Sequence, residues 1–119
     1  MQYLLLIYSP EATFEKQSSE ERDAMLQEYH AFTQSIAQSG HLRGANELNV
    51  TKTAKTIRVR DGKHLISDGP FAETKEQLGG YYLVEARDQD EALQIAARIP
   101  SARIGSIEVR PIIPHDIPN

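Results

Sequence analysis

The residues with the clearest chemical potential form one run, Asp68-Gly69-Pro70-Phe71. An aspartate at a strand end, beside a turn that Gly and Pro make rigid, is held where a ligand can reach its carboxylate. A phenyl ring nearby would exclude water and favour the protonated acid, which a general acid needs. The same run also has a structural explanation: Asp68 caps the turn, Gly69 supplies a positive φ, Pro70 stiffens the chain and Phe71 fills the core. The sequence leaves both explanations open.

Three further side chains are candidates for the same site. Tyr29 lies in the apolar stripe of a predicted helix, where a tyrosine usually belongs to the core. If its hydroxyl points into a crevice beside Asp68, it would donate a hydrogen bond to a substrate oxygen. Glu73 and Lys75 follow the turn and are candidates for binding a polar ligand at the crevice mouth, although a charged loop is normally solvated. We therefore predict Asp68 and Tyr29 as catalytic and Pro70, Phe71, Glu73 and Lys75 as substrate-binding.

Metal and cofactor chemistry have little support in the sequence. The chain has no cysteine, and its four histidines show no metal-ligand spacing. No P-loop, GxGxxG or GxSxG motif is present. We expect neither a metal nor a bound cofactor.

The composition indicates one small soluble domain. The 119 residues are 39% hydrophobic and 25% charged, with a net charge of −4. This charge gives no general attraction to nucleic acid or to an anionic membrane, so we expect neither as a partner. No apolar run is long enough for a membrane span, and no signal peptide is recognisable. The lack of cysteine suits a cytoplasmic location.

Hydrophobic periodicity and turn signals predict six strands and two helices. A capping box at Ser18 and Glu21 starts a long helix with an apolar stripe of Met25, Tyr29, Phe32 and Ile36, which Gly40 ends. A second helix begins after Asp88 and ends before Pro100, with Ala92, Leu93, Ala96 and Ala97 as its packing face. Asp61-Gly62 indicates a tight hairpin turn. The predicted strands cover residues 2–8, 41–48, 56–60, 63–68, 81–86 and 106–110.

The element order predicts an α+β fold. Without the hairpin it reads βαββαβ, a ferredoxin-like split βαβ with both helices on one face of an antiparallel sheet. The other sheet face then carries apolar side chains that have no cover within the chain. We therefore expect a homodimer, formed sheet against sheet by two-fold symmetry.

Several segments resemble the DGPF-domain family of the YCII-related superfamily. The longest is SDGPFAETKEQLGGYY at residues 67–82, with further matches at YLLLIY (3–8), DEAL (90–93) and EVRPI (108–112). The resemblance implies a single domain over residues 1–113, followed by a tail at 114–119, and a dimeric α+β barrel. YCII-like relatives are suspected enzymes with a His–Asp pair, the His lying eleven residues before the helix-ending glycine. That position is Tyr29 here, with His30 beside it, whereas the Asp corresponds to Asp68.

Two functions follow from these observations. The first is a small-molecule enzyme, with Asp68 as general acid or base, Tyr29 as hydrogen-bond donor and Phe71 as the wall that excludes water. Proton transfer or hydrolysis of a small polar substrate is the reaction class indicated. The second is a non-catalytic dimer that senses a ligand or binds a protein. The resemblance implies a sigma-factor-related partner, because family members are often neighbours of, or fused to, extracytoplasmic-function sigma factors.

Overall fold

The computed structural model describes residues 1–116, so the last three residues of the predicted tail, 117–119, lie outside the described residues. The described part contains six strands and three α-helices. They are β1 (Gln2–Ser9), α1 (Glu11–Glu15), α2 (Ser19–Gln38), β2 (Leu42–Glu47), β3 (Lys55–Arg60), β4 (Lys63–Asp68), β5 (Gln77–Glu85), α3 (Gln89–Ala97) and β6 (Ser106–Pro111). Within residues 1–116, no helix combines the length and the apolar character that crossing a membrane requires.

The strands form two antiparallel sheets. The larger has the order β2-β5-β1-β6, and β3 and β4 form a separate hairpin. With the hairpin set aside, the remaining elements run βαββαβ with the two chain-terminal strands adjacent. This arrangement confirms the predicted ferredoxin-like α+β fold with an inserted hairpin.

Helix α2 forms as its sequence predicts. The Ser18 hydroxyl accepts a hydrogen bond from the Glu21 amide at 3.1 Å, which caps the first turn. Gly40 follows the helix with φ of 82°, the left-handed conformation that ends a helix at little cost for glycine. Phe32 and Ile36 are buried against the sheet, so the predicted stripe is the packing face.

The predicted packing face of α3 is partly wrong. Its buried residues are Ala92, Ile95 and Ala96, whereas Leu93 is 49% exposed and Ala97 is also exposed. Because one residue rotates the side-chain direction by about 100°, Leu93 and Ala97 turn away from the sheet. The buried face of α3 continues beyond the helix to Ile99, which is 1% exposed.

The core lies between one face of the larger sheet and the helices α2 and α3. Strand β1 alternates, with Tyr3, Leu5 and Ile7 buried in this core. From β5, Tyr82 packs edge-on against Phe32, with ring centroids 5.1 Å apart. The opposite sheet face carries side chains that remain partly exposed, and we call it the open face; it contains Leu4, Leu6, Tyr8, Tyr81 and Leu83.

The sequence did not predict α1, and the predicted start of β5 lies four residues after the observed one. Helix α1 has only five residues, too few to show a helical period. Its start is fixed by a distant contact, since the Glu11 amide donates to Gln77 Oε1 at 2.8 Å. Gln77 is the first residue of β5, so the contact joins α1 to the early part of that strand.

The hairpin of residues 55–68, here called the hairpin arm, extends away from the core. Its turn has φ of 51° at Asp61 and 76° at Gly62, as a two-residue hairpin turn requires. Both faces are open to solvent: Ile57 on one face is 57% exposed, and Leu65 on the other is 52% exposed. The radius of gyration is 16.6 Å, against about 13.5 Å for a compact domain of this length.

Candidate functional site

A crevice of about 640 Å³ opens between α2 and the β2–β5 half of the sheet, and we call it the α2 crevice. Its size is in the range of small-molecule sites. Residues from α1, α2, β1, β2 and β5 line it, together with the segments that precede the hairpin arm. The polar residues of its lining are Ser9, Glu11, Gln17, Arg22, Asp23, Tyr29, His30, Thr33, Asn46, Glu47, Asn49, Gln77, Tyr81, Tyr82 and Ser101.

Two hydroxyl pairs form the inner wall of the α2 crevice. Tyr29 and Ser101 are hydrogen-bonded with their oxygens 2.5 Å apart, and Thr33 and Tyr82 with theirs 2.7 Å apart. Tyr29 and Thr33 are four residues apart on α2, so they share one helix face. Tyr82 points to the same side because β5 alternates, and Ser101 comes from the turn after α3. We call these four side chains the hydroxyl cluster.

Burial sets the protonation of the two tyrosines. Desolvation raises the pKa of Tyr29 above the ordinary 10.0, and the hydrogen bond with Ser101 offsets this only in part. The negative charge of Glu47 raises that pKa further. Burial likewise raises the pKa of Tyr82, against a smaller lowering by Thr33. Both phenols are therefore neutral hydrogen-bonding groups at physiological pH.

The raised tyrosine pKa values predict a loss of stability in alkali. Below about pH 10 both phenols are protonated in the folded and unfolded chains. Above it the unfolded chain ionises first, so we expect the free energy of unfolding to fall as pH rises towards the folded pKa values. The absorbance of ionised tyrosine at about 295 nm, followed as pH rises, should show two tyrosines that ionise above the ordinary pH in the wild type. Each single variant, Tyr29→Phe or Tyr82→Phe, should show one. Titration of Tyr29 and Tyr82 near pH 10 would contradict this.

Charged side chains surround the entrance to the α2 crevice. Asp23 and Arg22 stand on α2, and Glu47 ends β2. At one end, Glu11 accepts hydrogen bonds from the Thr51 amide at 2.8 Å and from its hydroxyl at 2.9 Å. This contact holds the segment before the hairpin arm against α1 and closes that end of the crevice.

The structure brings only one of the predicted catalytic pair into this crevice. Tyr29 lines it, whereas Asp68 does not line it in the same chain. Asp68 ends β4 with its side chain 87% exposed, and its Oδ1 is 2.5 Å from Lys55 Nζ. The turn after it has the predicted positive φ, 90° at Gly69, whose carbonyl accepts from the Thr56 hydroxyl.

The predicted substrate-binding residues also lie outside the α2 crevice. Pro70, Phe71, Glu73 and Lys75 are all exposed and do not line it. Phe71 is 79% exposed, so within one chain it does not fill the core as the structural explanation expected. The segment runs along the surface between the hairpin arm and β5, where no other element covers the ring.

Sequence analysis missed three members of the hydroxyl cluster and the nearby carboxylate. Thr33 had a signal, since it lies one turn beyond Tyr29, and strand alternation placed Tyr82 inward. Ser101 had none, because it reaches Tyr29 across 72 residues of sequence. Glu47 lies at a strand end, where the sequence shows no direction for its side chain.

Among residues 1–116, no group of three acidic or histidine side chains is placed to hold a metal ion.

The chain is similar to proteins of one known family. The family model described as YCII-related domain matches residues 1–116. Over its whole length the chain is 36% identical to an uncharacterised protein of Rhizobium meliloti (strain 1021), R00369, and the alignment covers all of both chains.

Proposed function

This chain belongs to the YCII-related domain family, and on that premise we propose that it binds a small polar molecule in the α2 crevice. The observation that supports the proposal is the hydroxyl cluster in the wall of a ligand-sized crevice. Packing alone does not require four hydroxyls there, since phenylalanine, valine and alanine would fill similar volumes. A ligand with hydrogen-bonding groups gives these hydroxyls a use.

The hydroxyl cluster is suited to orient a ligand rather than to react with it. A neutral phenol both donates and accepts, so Tyr29 can bind a ligand oxygen while it remains paired with Ser101. Proton transfer or hydrolysis also needs a carboxylate or imidazole, and Glu47 and His30 line the same crevice. Asp68 does not, so an acid–base role for Asp68 in this crevice requires a second copy to bring it there.

Ligand affinity in Tyr→Phe variants tests the proposal. Small polar compounds that raise the melting temperature of the wild type would be titrated into Tyr29→Phe, Tyr82→Phe and Asp68→Asn. We expect Kd to rise about three- to tenfold in the two tyrosine variants, the loss of one neutral hydrogen bond. Asp68→Asn should bind as the wild type does.

Tyr3→Phe is the matched control. Tyr3 is 4% exposed and does not line the α2 crevice, so it undergoes the same chemical change elsewhere in the core. Its variant should keep the wild-type Kd. Equal losses in Tyr3→Phe and Tyr29→Phe, or a loss in Asp68→Asn alone, would overturn the proposal.

A second candidate function, a dimeric interaction module, is favoured by the apolar surface that one chain leaves uncovered. Leu4, Leu6 and Leu83 stand on the open face, and Ile57 and Ile66 are exposed on the hairpin arm. We propose that the open face forms the homodimer, which leaves the hairpin arm for a protein partner. A sigma-factor-related protein is the partner class implied by the sequence resemblance. If the double variant Ile57→Lys/Ile66→Lys no longer captures this partner but still binds ligand in the α2 crevice, the result would favour this function.

A further inference from the structure

The α2 crevice carries more acidic than basic side chains. Three carboxylates line it, those of Glu11, Asp23 and Glu47, against the single guanidinium of Arg22. Glu11 accepts its hydrogen bonds from the neutral donors of Thr51. Among the ion pairs of residues 1–116, none includes Asp23 or Glu47. The lining therefore carries more formal negative than positive charge, and no described cation pairs directly with these two carboxylates.

Gln17 also lines the α2 crevice, and its side-chain oxygen has no hydrogen-bond partner in the part of the chain that the structure describes. That oxygen is itself buried, so it meets a ligand N–H group only if the Gln17 amide turns towards the crevice. Such a turn would pair an acceptor that is costly to leave unpaired.

Apolar side chains form another part of the lining. Phe14, Met25, Leu26 and Val50 line the crevice, and Leu26 is 53% exposed. These side chains can cover a hydrocarbon or aromatic group while the charged end of a ligand remains near Glu47 and Asp23. An anionic ligand would instead be repelled by the three carboxylates.

We propose that the α2 crevice selects small protonated amines that carry an apolar group. This inference rests on the proposed function, because it names the class of molecule that the same crevice takes. The ammonium group lies near Glu47, its N–H groups are donors for the crevice acceptors, and the apolar group packs against Met25 and Leu26. The hydroxyl cluster accepts or donates the remaining hydrogen bonds.

Three probes that share the 2-phenylethyl group test the selectivity. They are 2-phenylethylamine, 2-phenylethanol and 3-phenylpropanoate, each titrated into the ¹⁵N-labelled protein at millimolar concentrations. We expect all shifts to map to the crevice, with Kd for the amine about fivefold lower than for the alcohol and the carboxylate weakest. Salt should weaken binding of the amine and leave the alcohol unchanged.

Glu47→Gln keeps the side-chain shape and removes one charge, and Glu20→Gln is its control on an exposed residue outside the crevice. Kd for the amine should rise about threefold in Glu47→Gln and stay constant in Glu20→Gln. If the alcohol or the carboxylate binds in the crevice as tightly as the amine, the inference fails and the proposed function stands. If no probe shifts the crevice amides, both fail.

Discussion

Replacing Gly105 by alanine is expected to unfold most of the protein or to cost about 3 kcal/mol or more of stability. A Cβ at this position would overlap the Tyr8 carbonyl oxygen and lie 3.0 Å from the Cα of Ser9. Both neighbours are backbone of β1, the central strand that pairs with β5 and β6, so neither can move without breaking the sheet. The Gly105 amide also donates to the Ser101 carbonyl at 2.8 Å, which ties this close approach to the hydroxyl cluster.

Gly79→Ala is the matched control for that substitution. Gly79 lies in β5 and lines the α2 crevice, but a Cβ there would have no atom within 4 Å. We expect the free energy of unfolding of the Gly79→Ala protein to differ from the wild-type value by about 1 kcal/mol or less. Urea denaturation of the two variants measures both effects. A Gly105→Ala protein as stable as Gly79→Ala would show that β1 and the turn after α3 do not pack as described.

Leu83→Glu is expected to convert the proposed homodimer into a folded monomer. Leu83 stands opposite Leu4 on the two central strands, and the next pair on the same face is Tyr81 and Leu6. A carboxylate at this position would be buried without a partner at the centre of a sheet-to-sheet interface, twice per dimer. Within one chain the side chain lies outside the core, so the fold should remain.

Analytical ultracentrifugation with circular dichroism checks this prediction, with Leu93→Glu as the control. Leu93 is also partly exposed, at 49%, but it stands on α3 on the helix-covered side of the sheet. The wild type and Leu93→Glu should sediment as dimers at micromolar concentration, and Leu83→Glu as a monomer. A monomeric wild type, or a dimeric Leu83→Glu, would remove the open face as the interface.

The sequence was sufficient for most of the fold because its local signals agree with one another. The Ser18 cap, the stripe ending at Ile36 and the glycine stop define α2, and the Asp61-Gly62 turn defines the hairpin arm. Alternation in β6 indicated that Ile107 and Val109 face the core, and both pack against it. Strand β1 is a continuous apolar run, so its sequence does not show that Tyr3, Leu5 and Ile7 are the buried side. The α3 face was misplaced because three alanines and a leucine outline a stripe about as well as Ala92, Ala96 and Ile95 do.

The candidate site was only partly predictable, because it is built from contacts between distant segments. Tyr29 could be singled out from one helix, but its partner Ser101 and the lining residue Glu47 come from other parts of the chain. The Asp68 run drew attention through its unusual composition. In the structure its glycine adopts the positive φ of the turn at the base of the hairpin arm, and its carboxylate faces solvent beside Lys55.

The most direct test of the account is a map of where small molecules bind. A fragment library screened by ¹⁵N–¹H NMR, with backbone assignments, reports the contacted residues without knowledge of the ligand. We expect the shifted amides to cluster on the α2 crevice, around Thr33, Asn46 and Tyr82, and to be weakened in Tyr29→Phe but not in Tyr3→Phe. Binding confined to residues 68–76 or to the open face would contradict the α2 crevice as the functional site.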